Sequence, residues 1–353
     1  MRSLRPGLLA ATLGGLLLLS ACGDDSEPAA QPGDDATEEP AGDDAAGSVV
    51  VYSGRDEELV GPLIEQFEEA SGITVEVRYA GTTELAAQLL EEGERTPADV
   101  FLSQDAGALG ALASAGRLAT LPDEVTSAVA PEYSSRDGSW VALTGRARVI
   151  AYDSQTYTAD QVPGDVLALT DPQWRGQVAI APTNASFQSF VTALRVTEGE
   201  DVARAWLEGL IANEAQIHPG NGQILEAVNA GTAGLGLINH YYWAGYESDP
   251  AALRVQLKFG DPGSVSALVN TSGVGIVSEA AESEAAHEFV DFLLSEQAQT
   301  YFAEETAEYP LIDGIDGPAG VPALADLGAP DLDLSELESL EDTVALLTEV
   351  GLL

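Results

Sequence analysis

Two adjacent tyrosines, Tyr241 and Tyr242, close the run Leu237-Ile238-Asn239-His240-Tyr241-Tyr242-Trp243. Two phenolates are hard anionic oxygen donors, the ligand type that a small, highly charged cation such as Fe³⁺ prefers. Neighbouring residues on a strand point to opposite faces, so two phenols can meet at one ion only where the strand breaks. The same letters also describe an aromatic core plug, with rings buried and hydroxyls hydrogen-bonded. The surroundings of the pair must separate these readings.

Four polar loops stand beside it: Ser53-Gly54-Arg55-Asp56, Ser103-Gln104-Asp105, Pro182-Thr183-Asn184-Ala185-Ser186 and Pro219-Gly220-Asn221-Gly222. The first two follow apolar runs that read as strands, and the last two precede helical patterns. Helix N-termini offer free N–H groups and the positive end of a dipole, so the last two can cradle an anion. Ordinary capping is the competing account for each, and Asp56 also suits the N-cap of the following helix. His240 reads as structural, pointing away from the tyrosine pair and back into its own lobe. His218 reads as a surface residue. His287-Glu288 lacks the second histidine of a zinc protease and reads as a helix surface. Arg146 and Arg148 share one extended segment, where they either balance buried acids or reach an anion.

The elements that must position these residues alternate in type. Val49–Tyr52 is a strand, and apolar residues Leu59 to Phe67 recur at helical spacing until Gly72. Gly61-Pro62 is expected to restart or bend that helix. Ile73–Val77, a helix over Glu84–Glu92, Ala98–Leu102 and a helix over Ala106–Ala113 continue the pattern. Further strands fit Val141–Leu143, Arg148–Tyr152, Val178–Ala181, Gly234–Ile238 and Val274–Val277. Helices fit Ser186–Val196, Val202–Asn213, Ile224–Ala230, Glu284–Ser295, Glu296–Glu304 and Leu334–Leu347. This alternation predicts parallel sheets covered by helices. Length suits two α/β lobes, joined by extended crossovers near Thr144–Tyr152 and Ser264–Val274. Ligands of open α/β sheets sit beyond the carboxyl ends of the strands, where the candidate residues fall.

Arg2 and Arg5 precede the apolar stretch Leu8–Leu19 and then Leu19-Ser20-Ala21-Cys22, which reads as a secretory signal over 1–21. Cys22 is the sole cysteine of the chain, placed as in a bacterial lipobox for lipidation. Residues 22–48 then read as a lipidated cysteine and an acidic tether too poor in apolar side chains to fold. The expected address is extracytoplasmic, touching the membrane through the lipid only. The formal net charge of −44 argues against nucleic-acid partners. It does not identify a ligand.

Five segments together resemble the ferric-ion-binding periplasmic proteins, the receptors of iron(III) ABC importers. They are Val51-Tyr52-Ser53-Gly54-Arg55, Thr96-Pro97-Ala98-Asp99-Val100-Phe101, Leu143-Thr144-Gly145-Arg146-Ala147-Arg148-Val149, Asn239-His240-Tyr241-Tyr242-Trp243 and Ala307-Glu308-Tyr309-Pro310-Leu311. The likeness spans about Val49 to Leu353. It implies a two-lobed class II periplasmic-binding-protein fold with a ligand cleft between lobes, lobe 1 being 49–147 and 272–353 and lobe 2 being 148–271. It also implies Fe³⁺ as the transported ligand, held by Tyr241 and Tyr242 with a synergistic carbonate or phosphate, no catalysis, an ABC permease partner and a monomer. Asn184, Ser186, Asn221 and Asn239 fall where some members cradle the anion, and Arg55 matches an arginine that holds carbonate in others. The chain departs from the pattern in three places. Asp56 replaces a histidine ligand, Gln104 replaces a glutamate ligand, and Ser186 stands at a third tyrosine's place.

Two rival functions remain open on the sequence. A receptor for an organic anion, such as a phosphonate or thiamine phosphate, shares the fold and could use Arg55, but has no need of paired phenolates. A lipid-anchored hydrolase would need a nucleophile–base pair. The chain has three histidines and no Gly-x-Ser-x-Gly elbow.

Overall fold

The computed structural model describes residues 47–246 and 249–353. The leader, Cys22 and all but the last two residues of the tether lie outside them, and Ser48 already belongs to the first strand. Ten strands occur among the described residues. They are β1 (Ser48–Ser53), β2 (Thr74–Tyr79), β3 (Val100–Ser103), β4 (Val141–Asp153), β5 (Val178–Ile180), β6 (Gln216–Ile217), β7 (Leu235–Asn239), β8 (Val255–Phe259), β9 (Val269–Ile276) and β10 (Tyr309–Pro310). Their order is β2-β1-β3-β9-β4-β7-β5-β6, with β8 and β10 also pairing β4.

The expected purely parallel sheets are mixed instead. β1 pairs β2 and β3 in parallel, and β5 pairs β6 and β7 in parallel. The two long crossing strands run antiparallel to their neighbours, β9 against β3 and β4, and β4 against β7 and β8. Strand–helix–strand repeats fix parallel pairing only within each repeat, and strands returning from elsewhere are free to oppose it.

β4 replaces the two short strands expected at Val141–Leu143 and Arg148–Tyr152. Val141 to Ala147 pair with β9, and Arg148 to Asp153 pair with β7 and β8. One strand therefore serves both sheets, and all thirteen of its residues are buried. The polar letters Thr144, Arg146 and Arg148 break its apolar run in the sequence, and each is buried with polar partners or neighbours.

The first helix runs from Glu57 to Ser71 straight through Pro62, and Gly72 closes it in the left-handed conformation at φ 75°. Its apolar face, Val60, Leu63, Ile64 and Phe67, packs in the main core. A second apolar cluster gathers Ala147, Val149, Ile224, Val228, Ile238, Trp243, Val255 and Tyr309. The C-terminal helix expected over Leu334–Leu347 is split into a 3₁₀ segment, Leu334–Glu338, and a helix, Leu340–Glu349. These segments lie against the helices Ala106–Ser114 and Ala185–Glu198. Gly107 and Gly110 permit the approach, since a Cβ on them would stand 3.1 Å from the Leu337 carbonyl oxygen and 3.2 Å from the Glu338 Cα. Arg195 fastens the other side, donating to the Ser339 carbonyl at 3.0 Å and to Thr343 Oγ1 at 2.8 Å.

Candidate functional site

β7 ends at Asn239, His240 turns into helical conformation (φ −58°, ψ −35°), and Tyr241–Ala244 forms a single helical turn. The strand does break at the pair, into a turn of helix rather than a loop. Trp243 anchors the turn by donating its indole N–H to the Val255 carbonyl at 2.9 Å. The two tyrosine rings then stack, with centroids 4.4 Å apart and planes 28° apart. Tyr241 is 4 % exposed and its hydroxyl has no hydrogen-bond partner among the described residues. A core plug would satisfy that hydroxyl, because an orphaned buried one costs about 1–3 kcal/mol. Burial, then the charge and the adjacent hydroxyl of Tyr241, then Asp56, push the Tyr242 phenol well above its ordinary pKa, against the pull of Arg55.

His240 is fully buried, as its structural reading requires. It packs on Tyr309 of the C-terminal third at 4.6 Å rather than back among its own neighbours. Its Nδ1 accepts the Ala147 N–H at 3.1 Å, and burial drives its pKa down to about 3. The imidazole is therefore neutral and engaged in packing. His218 and His287 are half-buried, and His287 bonds the Ala281 carbonyl at 2.8 Å.

Three buried arginines surround the tyrosines. The Arg55 guanidinium lies 5.9 Å from the centroid of the Tyr241 ring and donates to Glu308 Oε2 at 2.7 Å. Arg146, fully buried, has its Nε 3.8 Å from the other oxygen of Glu308 and donates to Ser186 Oγ at 3.4 Å. Arg148 has no carboxylate within salt-bridge distance among the described residues. It donates to Asn239 Oδ1 at 3.4 Å and to the Leu237 carbonyl at 3.1 Å, and burial lowers its pKa to about 9. Glu308 is itself fully buried and follows Ala307, whose φ of 54° is unusual for a residue with a Cβ. Glu308 thus spans two of the three guanidinium groups, and some N–H groups of all three have no acceptor among the described residues.

The residues expected to cradle an anion are only partly brought together. Asn239 Nδ2 and Arg146 both donate to Ser186 Oγ, so Ser186, Asn239, Arg146 and Arg148 form one connected group. Asn184 instead acts as the N-cap, accepting the Ser186 N–H at 3.1 Å, which is the capping account of that loop. Asn221 opens the helix Asn221–Ala230, is 1 % exposed, and has both amide atoms without partners among the described residues.

A cavity of about 540 Å³ is lined by Arg55, Asp56, Thr82, Gln104, Asn184 and Pro219, among others. A second, of about 230 Å³, is lined by Asp56, Tyr241, Tyr242 and Thr306. Asp56 borders both. It occupies the N-cap position of the helix Glu57–Ser71, yet its exposed side chain makes no capping bond. Gln104 faces the larger cavity alone. Asp105 beside it is buried as a helix N-cap accepting the Ala108 N–H at 3.1 Å, and burial raises it to about 6. Sequence reasoning missed Glu308 as a site residue. It lies in the segment Ala307-Glu308-Tyr309-Pro310-Leu311 that carries part of the family resemblance, which is the signal that could have found it.

Two lobes of α/β structure sharing crossing strands, with polar residues from several strand ends turned into a cleft, define a binding protein of the periplasmic class. A family model described as bacterial extracellular solute-binding protein matches residues 95–330, and the chain belongs to that family. It is a solute-binding protein rather than an enzyme. It is 33 % identical over 312 residues to the Fe(3+)-binding periplasmic protein of Serratia marcescens, covering 86 % of this chain and 90 % of the relative. It is 32 % identical to the major ferric iron-binding protein of Neisseria meningitidis, over 87 % of this chain and 94 % of that one. Iron-bound HitA from Pseudomonas aeruginosa superposes with a TM-score of 0.82 at 32 % identity, covering 86 % of this chain and 99 % of HitA.

Proposed function

We propose that this protein captures Fe³⁺ outside the cytoplasm through the paired phenolates of Tyr241 and Tyr242 and hands it to an ABC permease. The observation that carries the proposal is the buried, partnerless Tyr241 hydroxyl on a ring stacked against Tyr242, set among three arginines and one carboxylate. A trivalent ion supplies what the Tyr241 oxygen lacks, and it must displace the protons of both phenols to be held by the pair. A synergistic anion such as carbonate or phosphate answers the surplus positive charge, held by Arg55, Ser186, Asn221 and Asn239 at the mouth of Arg146 and Arg148. Asp56 is a further oxygen donor at the junction of the two cavities, and Gln104 borders the larger one.

In this reading residues 49–147 with 272–353 and residues 148–271 move as the two lobes. Stronger binding of iron to the closed arrangement shifts the population toward it. Cys22 carries the lipid, and the acidic segment up to residue 48 lets a monomeric domain work beside the membrane. The names of the relatives and the iron-bound neighbour support the cargo. The test is to add ferric citrate to the apo-domain and record the visible spectrum with metal analysis. A tyrosinate-to-iron charge-transfer band, lost in Tyr241→Phe and in Tyr242→Phe, is expected. A domain that loads iron and stays colourless would overturn phenolate ligation.

A further inference from the structure

Glu308 is the one carboxylate within salt-bridge distance of either Arg55 or Arg146 among the described residues. Its two oxygens divide the work, Oε2 accepting from Arg55 at 2.7 Å and Oε1 standing 3.8 Å from the Nε of Arg146. Thr306 Oγ1 shares its one proton between the Phe302 carbonyl at 2.8 Å and Oε2 at 3.1 Å, which ties the carboxylate to the preceding helix. The backbone between Thr306 and Glu308 passes through the positive φ of Ala307, a conformation with a cost for any residue bearing a Cβ. Arg55, so held, lies over the Tyr241 ring. Among the described residues Arg148 receives no such carboxylate.

We infer that Glu308 is a positioning residue that holds Arg55 and Arg146 in place and offsets their charge, setting how strongly the site takes an anion. This rests on the anion-assisted iron binding proposed above. Asp56 and Asp105 also act on Arg55 and Arg146, and Glu308 is the carboxylate held within salt-bridge distance of both. A neutral side chain in its place leaves the arginines with one positive charge more, and any anion entering among them is attracted more strongly in a site where water screens little. The carboxylate thereby keeps the anion releasable. Changing groups that only orient a metal's ligands typically weakens binding by about 10–100-fold, so a gain in anion affinity separates charge compensation from lost positioning.

The experiment is calorimetric titration of the iron-free domain with inorganic phosphate and with bicarbonate. Glu308→Gln is expected to bind at least one of them about tenfold more tightly than wild type, and Glu308→Asp to restore the wild-type value. Thr306→Val loosens the same carboxylate without removing its charge and serves where Glu308→Gln does not fold. It is expected to shift affinity in the same direction by about twofold or more. Unchanged or weakened anion binding in these variants, with lowered melting temperatures alone, overturns the inference and leaves Glu308 a structural ion pair. A wild-type domain whose iron binding shows no dependence on any anion would instead refute the underlying reading.

Discussion

Replacing Tyr241 by phenylalanine separates a ligand from a packing residue by the direction of two stability changes. The ring stays, with its stacking on Tyr242 at 4.4 Å, and only a buried hydroxyl without a partner is removed. Leaving such a group unsatisfied costs about 1–3 kcal/mol. The iron-free variant should therefore be more stable than wild type by about 1 kcal/mol, raising Tm by roughly 2–4 °C. Ferric ion reverses the order. A ligand bound only by the folded state at 1,000 times its Kd adds about 4 kcal/mol, and the variant should forgo most of that. Paired melting curves at fixed anion, with and without ferric citrate, should thus cross between the two proteins. An iron-free Tyr241→Phe destabilised by more than about 1 kcal/mol would mean the hydroxyl was satisfied in the fold. That result would refute the argument from the orphaned oxygen.

Iron affinity should fall as pH falls, because burial holds the proton of Tyr242 firmly and the metal must displace it. Chelator competition at constant anion should give a slope of up to about two log units per pH unit if both phenols ionise on binding. Asp105 gives a separate pH signature: burial raises its folded pKa to about 6, above the ordinary value of 3.8. Its contribution to stability is greatest below about pH 4 and is lost as pH rises through about 6. Asp105→Asn keeps a capping oxygen, so it should stabilise the domain at pH 8 by on the order of 2–3 kcal/mol, the gain vanishing near pH 4 in urea titrations. Arg195→Ala should remove the clasp on Ser339 and Thr343, costing on the order of 3 kcal/mol and exposing the C-terminal segment to limited proteolysis.

The sequence carried the elements whose patterning is local. Both ends of the helix Glu57–Ser71 follow from its apolar spacing and Gly72, and the helix Glu296–Glu304 matches its expected bounds. β8 is not among the expected strands, although Val255-Gln256-Leu257-Lys258-Phe259 alternates apolar and polar, because it is half-exposed and lacks the continuous apolar run of a buried strand. β4 was divided because Thr144, Arg146 and Arg148 read as a polar interruption. Their burial depends on Ser272, Ser186, Glu308 and Asn239, partners distant in sequence that no local pattern reveals. The tyrosine pair stands out in the sequence because adjacency is itself the signal, and the structure stacks the two rings. The ion pairs of Glu308 are not legible in the sequence, since Arg55 and Arg146 lie far from it along the chain.

The seam between the two sheets falls within β4 at Ala147 and Arg148, with Arg146 one residue before it. Two of the three guanidinium groups near the tyrosines, those of Arg146 and Arg148, are thus mounted on the strand that the two sheets share, while Arg55 follows β1. A charge drawn between them would act where the leverage on chain direction is shortest and the angular effect greatest. Gripping the cargo and stiffening the pivot would then be one mechanical event.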